Sequence, residues 1–163
     1  MNTIVVVDKN WGIGYDGDQL VYIHADLKRF KELTTGHPVI YGRKTLATFP
    51  KGAPLKGRRN LLLSKTADGI PGAEIFRDIP SLLQVAPDDS FVIGGASIYK
   101  ALLSYCDKVF VTKVDAAYDA DAFFPNLDSQ DDWAVEEEGP VMEEVSEDGI
   151  PIRYKYVSYR RKS

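Results

Sequence analysis

The segment Ile23-His24-Ala25-Asp26-Leu27-Lys28-Arg29-Phe30-Lys31-Glu32-Leu33 places a carboxylate among apolar residues. Ile23, Leu27, Phe30 and Leu33 recur at three- and four-residue steps, the repeat of a one-sided helix. Asp26 stands three after Ile23 and four before Phe30, so it faces the same way. An acid turned toward an apolar wall titrates above the ordinary aspartate value of about 3.9 unless a partner stabilises its charge. A ligand rich in hydrogen-bond donors is such a partner. The competing reading is local: Asp26 caps the helix by accepting from first-turn amides. A capping box has Glu or Gln three residues on, and Arg29 stands there instead.

Three strand ends carry the other residues able to do chemistry. In Ile93-Gly94-Gly95-Ala96-Ser97 an apolar run stops at two glycines where a helix begins; the missing side chains let a ligand come close, and free helical amides face an anion. Gly42-Arg43-Lys44-Thr45 repeats the arrangement with two fixed positive charges and a hydroxyl, and Ser64-Lys65-Thr66 follows a third run. Each alone also reads as an ordinary solvated loop. Together they would gather at the carboxyl edge of one sheet, where open α/β folds bind nucleotides, and the cations suggest more phosphate than a plain dinucleotide carries. Gly12-Ile13-Gly14-Tyr15-Asp16-Gly17 spells the dinucleotide fingerprint G-x-G-x-x-G. That motif needs a helix opening at its glycines, yet Asp16, Gly17 and Asp18 continue as an acidic stretch. Residues 10–24 therefore read as a mobile loop beside the pocket.

The elements that must hold these groups alternate along the chain. Thr3 to Asp8, Pro38 to Gly42, Asn60 to Ser64, Ser90 to Ile93 and Lys108 to Val114 read as strands, with shorter strand-like material around Glu74 to Phe76. Helical patterns surround Asp26 from about Ala25, run weakly from Pro80 to Val85, and return from Ala96 to Leu103. Trp133 to Glu138 and Ile152 to Tyr159 alternate as a half-exposed antiparallel hairpin, with Glu136 to Gly149 as its connecting loop. The expectation is an α/β fold: one domain over residues 1–163, with a parallel-rich sheet and an antiparallel C-terminal edge.

With 163 residues, 44% of them hydrophobic and 27% charged, the chain can bury one core. A net charge of −4 with no basic run leaves no footprint for nucleic acid or an anionic membrane. No stretch approaches the ~20 apolar residues of a membrane span, and Met1-Asn2-Thr3-Ile4 opens a strand and not a signal peptide, so a cytoplasmic location is expected. Cys106 is alone, which excludes an internal disulfide. His24 and His37 have no cysteine cluster to join, so no metal site is expected. No serine has a nucleophile-elbow context, and the chemistry is left to a bound cofactor.

The order Gly-Ile-Gly-x-Asp-Gly, Ala25-Asp26-Leu27-x-x-Phe30, Gly42-Arg43-Lys44-Thr45, Arg58-x-Asn60, Ile93-Gly94-Gly95 with Tyr99, Thr112, and Asp121 with Phe124-Pro125 resembles the dihydrofolate reductases over nearly the whole chain. The resemblance implies NADPH-dependent reduction of 7,8-dihydrofolate to tetrahydrofolate by a monomer with a mostly parallel eight-stranded sheet and about four flanking helices. It implies a catalytic group of Asp26, Thr112 and Tyr99, in which Asp26 binds the pterin 2-amino group and N3 and Thr112 is its partner. Val5, Val6, Leu27, Phe30, Phe49, Leu55 and Ile93 would wall the substrate, and Arg58 would hold its glutamate α-carboxylate as a fork. Arg43, Ser64 and Lys65 would bind the cofactor 2′-phosphate; Gly42, Lys44, Thr45, Gly94, Gly95, Ala96, Ser97 and Ile98 would hold its pyrophosphate. Val6, Ile13, Gly14 and Tyr99 would border the nicotinamide. Dihydrofolate and antifolate-type molecules are the implied partners.

The chain departs from that pattern at Gln19-Leu20-Val21, where Leu-Pro-Trp is usual, at His24, where Pro is usual, and at Ala122, where Thr is usual. Val21 cannot make an indole hydrogen bond, which bears on loop closure and rate. Two other readings stay open: a similar-fold NADPH-dependent pyrimidine reductase of riboflavin synthesis, and a non-catalytic folate- or nucleotide-binding module.

Overall fold

The computed structural model describes residues 1–162. Its main sheet is built from β1 (Asn2–Val7), β4 (Val39–Gly42), β5 (Asn60–Leu63), β6 (Ala73–Phe76), β7 (Phe91–Gly94), β8 (Lys108–Val114), β10 (Trp133–Glu138), β11 (Met142–Val145) and β12 (Pro151–Arg161). The order across the sheet is β10-β12-β8-β1-β7-β4-β5-β6, with β11 also paired to β12. Pairs among β1, β4, β5, β6, β7 and β8 are parallel, whereas β12 runs antiparallel to β8, β10 and β11. The helices are α1 (His24–Thr34), α2 (Arg43–Leu46), α3 (Ile79–Val85) and α4 (Ala96–Leu102).

The central strands read as unbroken apolar runs because both faces are covered. Side chains alternate between the faces at a period of two. Val5, Val7, Ile40, Leu61 and Val92 enter one core cluster with Tyr99 and Leu102 of α4. Their neighbours Ile4, Val39, Tyr41, Leu62, Phe91 and Ile93 enter the other, against Phe30 and Leu33 of α1. The helix bearing Asp26 and the helix after the two glycines thus lie on opposite faces of one sheet. Residues at the ends of β1, β4 and β7 and at the start of α4 line one cavity.

Two segments differ from the sequence expectation. Residues 10–24 are not wholly loop: β2 (Gly12–Tyr15) and β3 (Asp18–Gln19) form a hairpin that joins β9 (Ala122–Phe123) in a small three-stranded sheet. Its two-residue turn has Asp16 at φ 50° and Gly17 at φ 83°, the doubly left-handed geometry that Asp-Gly favours. The other is the stretch from Glu136 to Gly149. Read as a connecting loop, it contains β11, and a turn over Ser146 to Gly149, with Gly149 at φ 78°, folds it onto β12 as a ninth strand. Among the described residues no helix is long and apolar enough to cross a membrane.

Candidate active site

Ile23, at the N-cap of α1, is extended at φ −116° and ψ 120° and has no side chain able to serve the first helical amides. They are served from β11: the Glu144 carboxylate accepts from the backbone N–H of His24 at 2.7 Å and of Ala25 at 3.1 Å. A proline at 24 would lack that donor, so this bond depends on the chain's departure to His24. Asp26 is therefore released from capping. Its Oδ1 accepts instead from the Thr112 hydroxyl of β8 at 2.5 Å. Burial pushes the Asp26 carboxyl above the usual aspartate range; the Thr112 bond and the Arg29 charge pull it back, and Glu144 adds to the rise.

The apolar side of α1 is divided. Ile23 is buried with Val114, Ile152 and Tyr154, whereas Phe30 and Leu33 pack on the cluster of Ile4, Tyr41 and Ile93. Leu27, between them, leaves 45% of its surface exposed, so the expected continuous wall is interrupted there. Val21 packs in the Ile23 cluster beside Tyr118 and Tyr156.

Strand register sets Thr112, and with it Asp26, one strand from a cleft that neither of them lines. Thr112 lies opposite Val6 of β1, and Val6 lines a cavity of about 780 Å³. Of the residues expected in the site, Val5, Val6, Ile13, Gly14, Gly42, Arg43, Lys44, Thr45, Ile93, Gly94, Gly95, Ala96, Ser97, Ile98 and Tyr99 line this one cavity. Tyr99 is buried and donates through its hydroxyl to the Ile4 carbonyl at 2.8 Å; burial, then the Asp26 charge, pushes its phenol well up.

The strand ends at β4 and β7 form a cradle that only glycine permits. Gly94 sits at φ 125°, and a Cβ there would stand 3.3 Å from the Tyr99 ring and 3.4 Å from the Thr45 hydroxyl. A Cβ on Gly42 would stand 2.9 Å from Ile98 Cγ1. Arg43 and Lys44 beside it are exposed, and among the described residues neither pairs with a carboxylate. Close backbone approach, a hydroxyl and uncommitted cations suit a dinucleotide with an extra phosphate. Ser64 and Lys65 lie outside the cavity lining, on the loop after β5, where the Ser64 Oγ accepts from the N–H of Thr66 and Ala67.

The glycine hairpin closes one side of the cavity. Asp121 accepts from the Asp16 N–H at 3.0 Å through its carboxylate and donates its own N–H to the Gly14 carbonyl at 2.9 Å. Buried Asp8 accepts from the N–H of Asn10, Gly12 and Tyr118 and ties the base of the same segment to the chain after β8. Sequence reasoning passed over Asp8; an acid closing a buried strand was its only local signal.

Phe30, Phe49 and Leu55, expected to wall the substrate, lie outside the cavity lining, as do Leu27 and Arg58; the first three pack on the core cluster that holds Ile93. Asn60 orders the segment carrying Leu55 and Arg58: its side chain donates to the carbonyls of Leu55 and Arg58 and accepts from the Leu55 N–H. Of the two arginines before it, Arg59 is neutralised by a two-pronged bond to Glu74, at 2.5 and 2.8 Å. Among the described residues Arg58 bonds only uncharged groups, the Lys56 carbonyl and the Thr34 hydroxyl, and keeps its charge beside the C-terminal end of α1.

A family model described as dihydrofolate reductase matches residues 1–161. The chain belongs to the dihydrofolate reductase family. It is 31% identical over 163 residues to the dihydrofolate reductase of Bacillus subtilis (strain 168), covering 98% of this chain and 94% of that one. It is 41% identical over 157 residues to the enzyme of Mycobacterium leprae (strain TN), covering 91% and 90% respectively. Among solved structures, Enterococcus faecalis dihydrofolate reductase complexed with NADP(H) and RAB-propyl superposes with a TM-score of 0.79 at 26% identity, over 99% of this chain and 96% of that one. The dihydrofolate reductase assignment agrees with a parallel-rich sheet, an acid on the first long helix and a two-glycine turn at the cavity.

Proposed function

We propose that this chain, acting as a cytosolic monomer of one domain over residues 1–163, reduces 7,8-dihydrofolate to 5,6,7,8-tetrahydrofolate with NADPH. The observation that carries the proposal is a half-buried Asp26, held by Thr112, one strand away from Val6 of a cavity that the two-glycine cradle and its uncommitted cations also line. When bound, NADPH supplies the hydride that passes from nicotinamide C4 to pterin C6.

The remaining work belongs to the protein. Asp26 accepts hydrogen bonds from pterin N3 and the 2-amino group, with Thr112 fixing the carboxylate from behind. Its charge favours protonation at N5, to which water carries the proton. Val5, Val6, Ile93, Leu27, Phe30, Phe49 and Leu55 hold the ring system by apolar contact, and Arg58 forks onto the glutamate α-carboxylate. Arg43, Ser64 and Lys65 receive the 2′-phosphate. Gly42, Lys44, Thr45 and the turn from Gly94 to Ile98 take the pyrophosphate, while Ile13, Gly14 and Tyr99 border the nicotinamide. The hairpin held by Asp121 keeps bulk water out. An arginine at 58 that retains its charge supports a substrate with an acidic tail over a pyrimidine.

The test is loss of NADPH absorbance with dihydrofolate as the oxidant, beside the pyrimidine substrate of riboflavin synthesis. Consumption with dihydrofolate alone is expected. Consumption only with the pyrimidine, or tight NADPH binding with no consumption at all, overturns the proposal.

A further inference from the structure

Arg29 stands one turn after Asp26 on α1, where an arginine ordinarily reads as part of a solvated face. Its guanidinium is instead folded inward. The Cζ lies 4.0 Å from the centroid of the Tyr156 ring and 5.8 Å from that of Phe110, and Nη1 is buried with no hydrogen-bond partner among the described residues. Among the described residues no carboxylate comes within 4.0 Å of it. A guanidinium withdrawn from water and left without a paired anion is costly. Two aromatic faces answer part of that cost through cation–π attraction. The rest falls to whichever negative charge is near.

That charge is Asp26. Burial pulls Arg29 down from the usual arginine range, and the groups opposing this are Tyr156 and Asp26. Tyr156 is itself pushed up to about 12, so near neutral pH it presents a ring and not an anion. Beyond its own helix, the groups that act on Asp26 are Thr112 of β8 and Glu144 of β11, while Tyr99 of α4 and Tyr154 and Tyr156 of β12 feel its charge. None of these is a cation. Arg29, on Asp26's own helix, is the positive charge among them.

We propose that Arg29 is a positioning residue for the reaction: stacked on Tyr156, it supplies a fixed positive field to Asp26 while staying off the carboxylate's lone pairs. The distinction matters chemically. An arginine in direct fork contact would neutralise Asp26 and also occupy the oxygens that must accept from the pterin. An arginine clamped over an aromatic ring offsets the charge of Asp26 from a distance, keeps it ionised and leaves those oxygens free. The pterin then meets an ionised acid whose partner cannot swing into its place.

This inference deepens the reductase proposal and rests on it for its meaning, but its test reads Asp26 without turnover. The Asp26 carboxyl carbon is followed by ¹³C NMR as pH is varied in the ligand-free protein, with Asp26→Asn assigning the signal. In Arg29→Met, which keeps the apolar stem, the titration midpoint is expected to move up; in Arg29→Lys, which keeps the charge, it should stay closer to the native value. Arg29→Gln replaces Arg29→Met if the latter does not fold. A midpoint that does not move in the neutral variants, or moves equally in Arg29→Lys, overturns the inference. A moved midpoint in a protein that does not oxidise NADPH with dihydrofolate would leave the field intact and reject the reductase instead.

Discussion

Replacing Thr112 by Val removes one hydroxyl from a residue only 1% exposed and leaves its shape almost unchanged. What is lost is the 2.5 Å bond to Asp26 Oδ1. A hydrogen bond to a charged group contributes about 1.5–3 kcal/mol, so a loss of about 2 kcal/mol is expected while Asp26 is ionised. In a domain of this size each kcal/mol moves Tm by about 2–4 °C, which places the variant about 4–8 °C lower near pH 8. The pH dependence has a definite sign. Burial raises the folded pKa of Asp26 above its unfolded value, so ionised Asp26 costs stability, and folding weakens as pH rises through the folded pKa. The Thr112 bond opposes that rise and favours the ionised form. Its contribution is full above the folded pKa and shrinks as pH falls through it, where a neutral bond of about 0.5–1.5 kcal/mol remains. Thermal melts near pH 8 and near pH 4 should therefore show a larger gap at the higher pH. Steady-state assays should show KM for dihydrofolate raised, since a carboxylate no longer fixed by Thr112 grips the pterin less well. An equal Tm loss at both pH values with an unchanged KM refutes the reasoning.

Glu144→Ala removes the acceptor for two first-turn amides of α1; it should cost about 1 kcal/mol in denaturant titration and speed hydrogen exchange at His24 and Ala25 above the rest of the helix. Arg58→Leu should raise KM for dihydrofolate and leave KM for a dihydropterin without the glutamate tail unchanged; an equal rise for both would remove Arg58 from the tail site.

The central strands were legible because strands covered on both faces are apolar throughout, as Val39-Ile40-Tyr41 and Phe91-Val92-Ile93 are. The hairpin at Gly12 to Gln19 was readable too, since Asp16-Gly17 is a strong turn signal, but the glycine fingerprint and the acidic stretch drew attention from it. β11 left little trace: Met142, Glu143 and Val145 are exposed, and what makes them a strand is the partner β12. In the site, the glycines and cations of the cradle were visible as strand ends, because each needs only its local neighbours. The environment of Asp26 was legible only through the family resemblance, which named Thr112, and not from any local signal. Thr112 is 86 residues away and Glu144 is 119 and 120 residues from the amides that it serves, so nothing near Asp26 announces either. Arg29 was hidden for a different reason. A charged residue on a helix is assigned to solvent by composition, and only Tyr156 on the last strand turns it inward.

The most direct measurement of the account is the pH dependence of turnover in Asp26→Asn, with NADPH and dihydrofolate as substrates. Without the carboxylate, turnover near neutral pH should fall strongly and recover in part in acid, where solvent protonates N5 without help. A profile that matches the native protein in both height and shape would contradict the role given to Asp26.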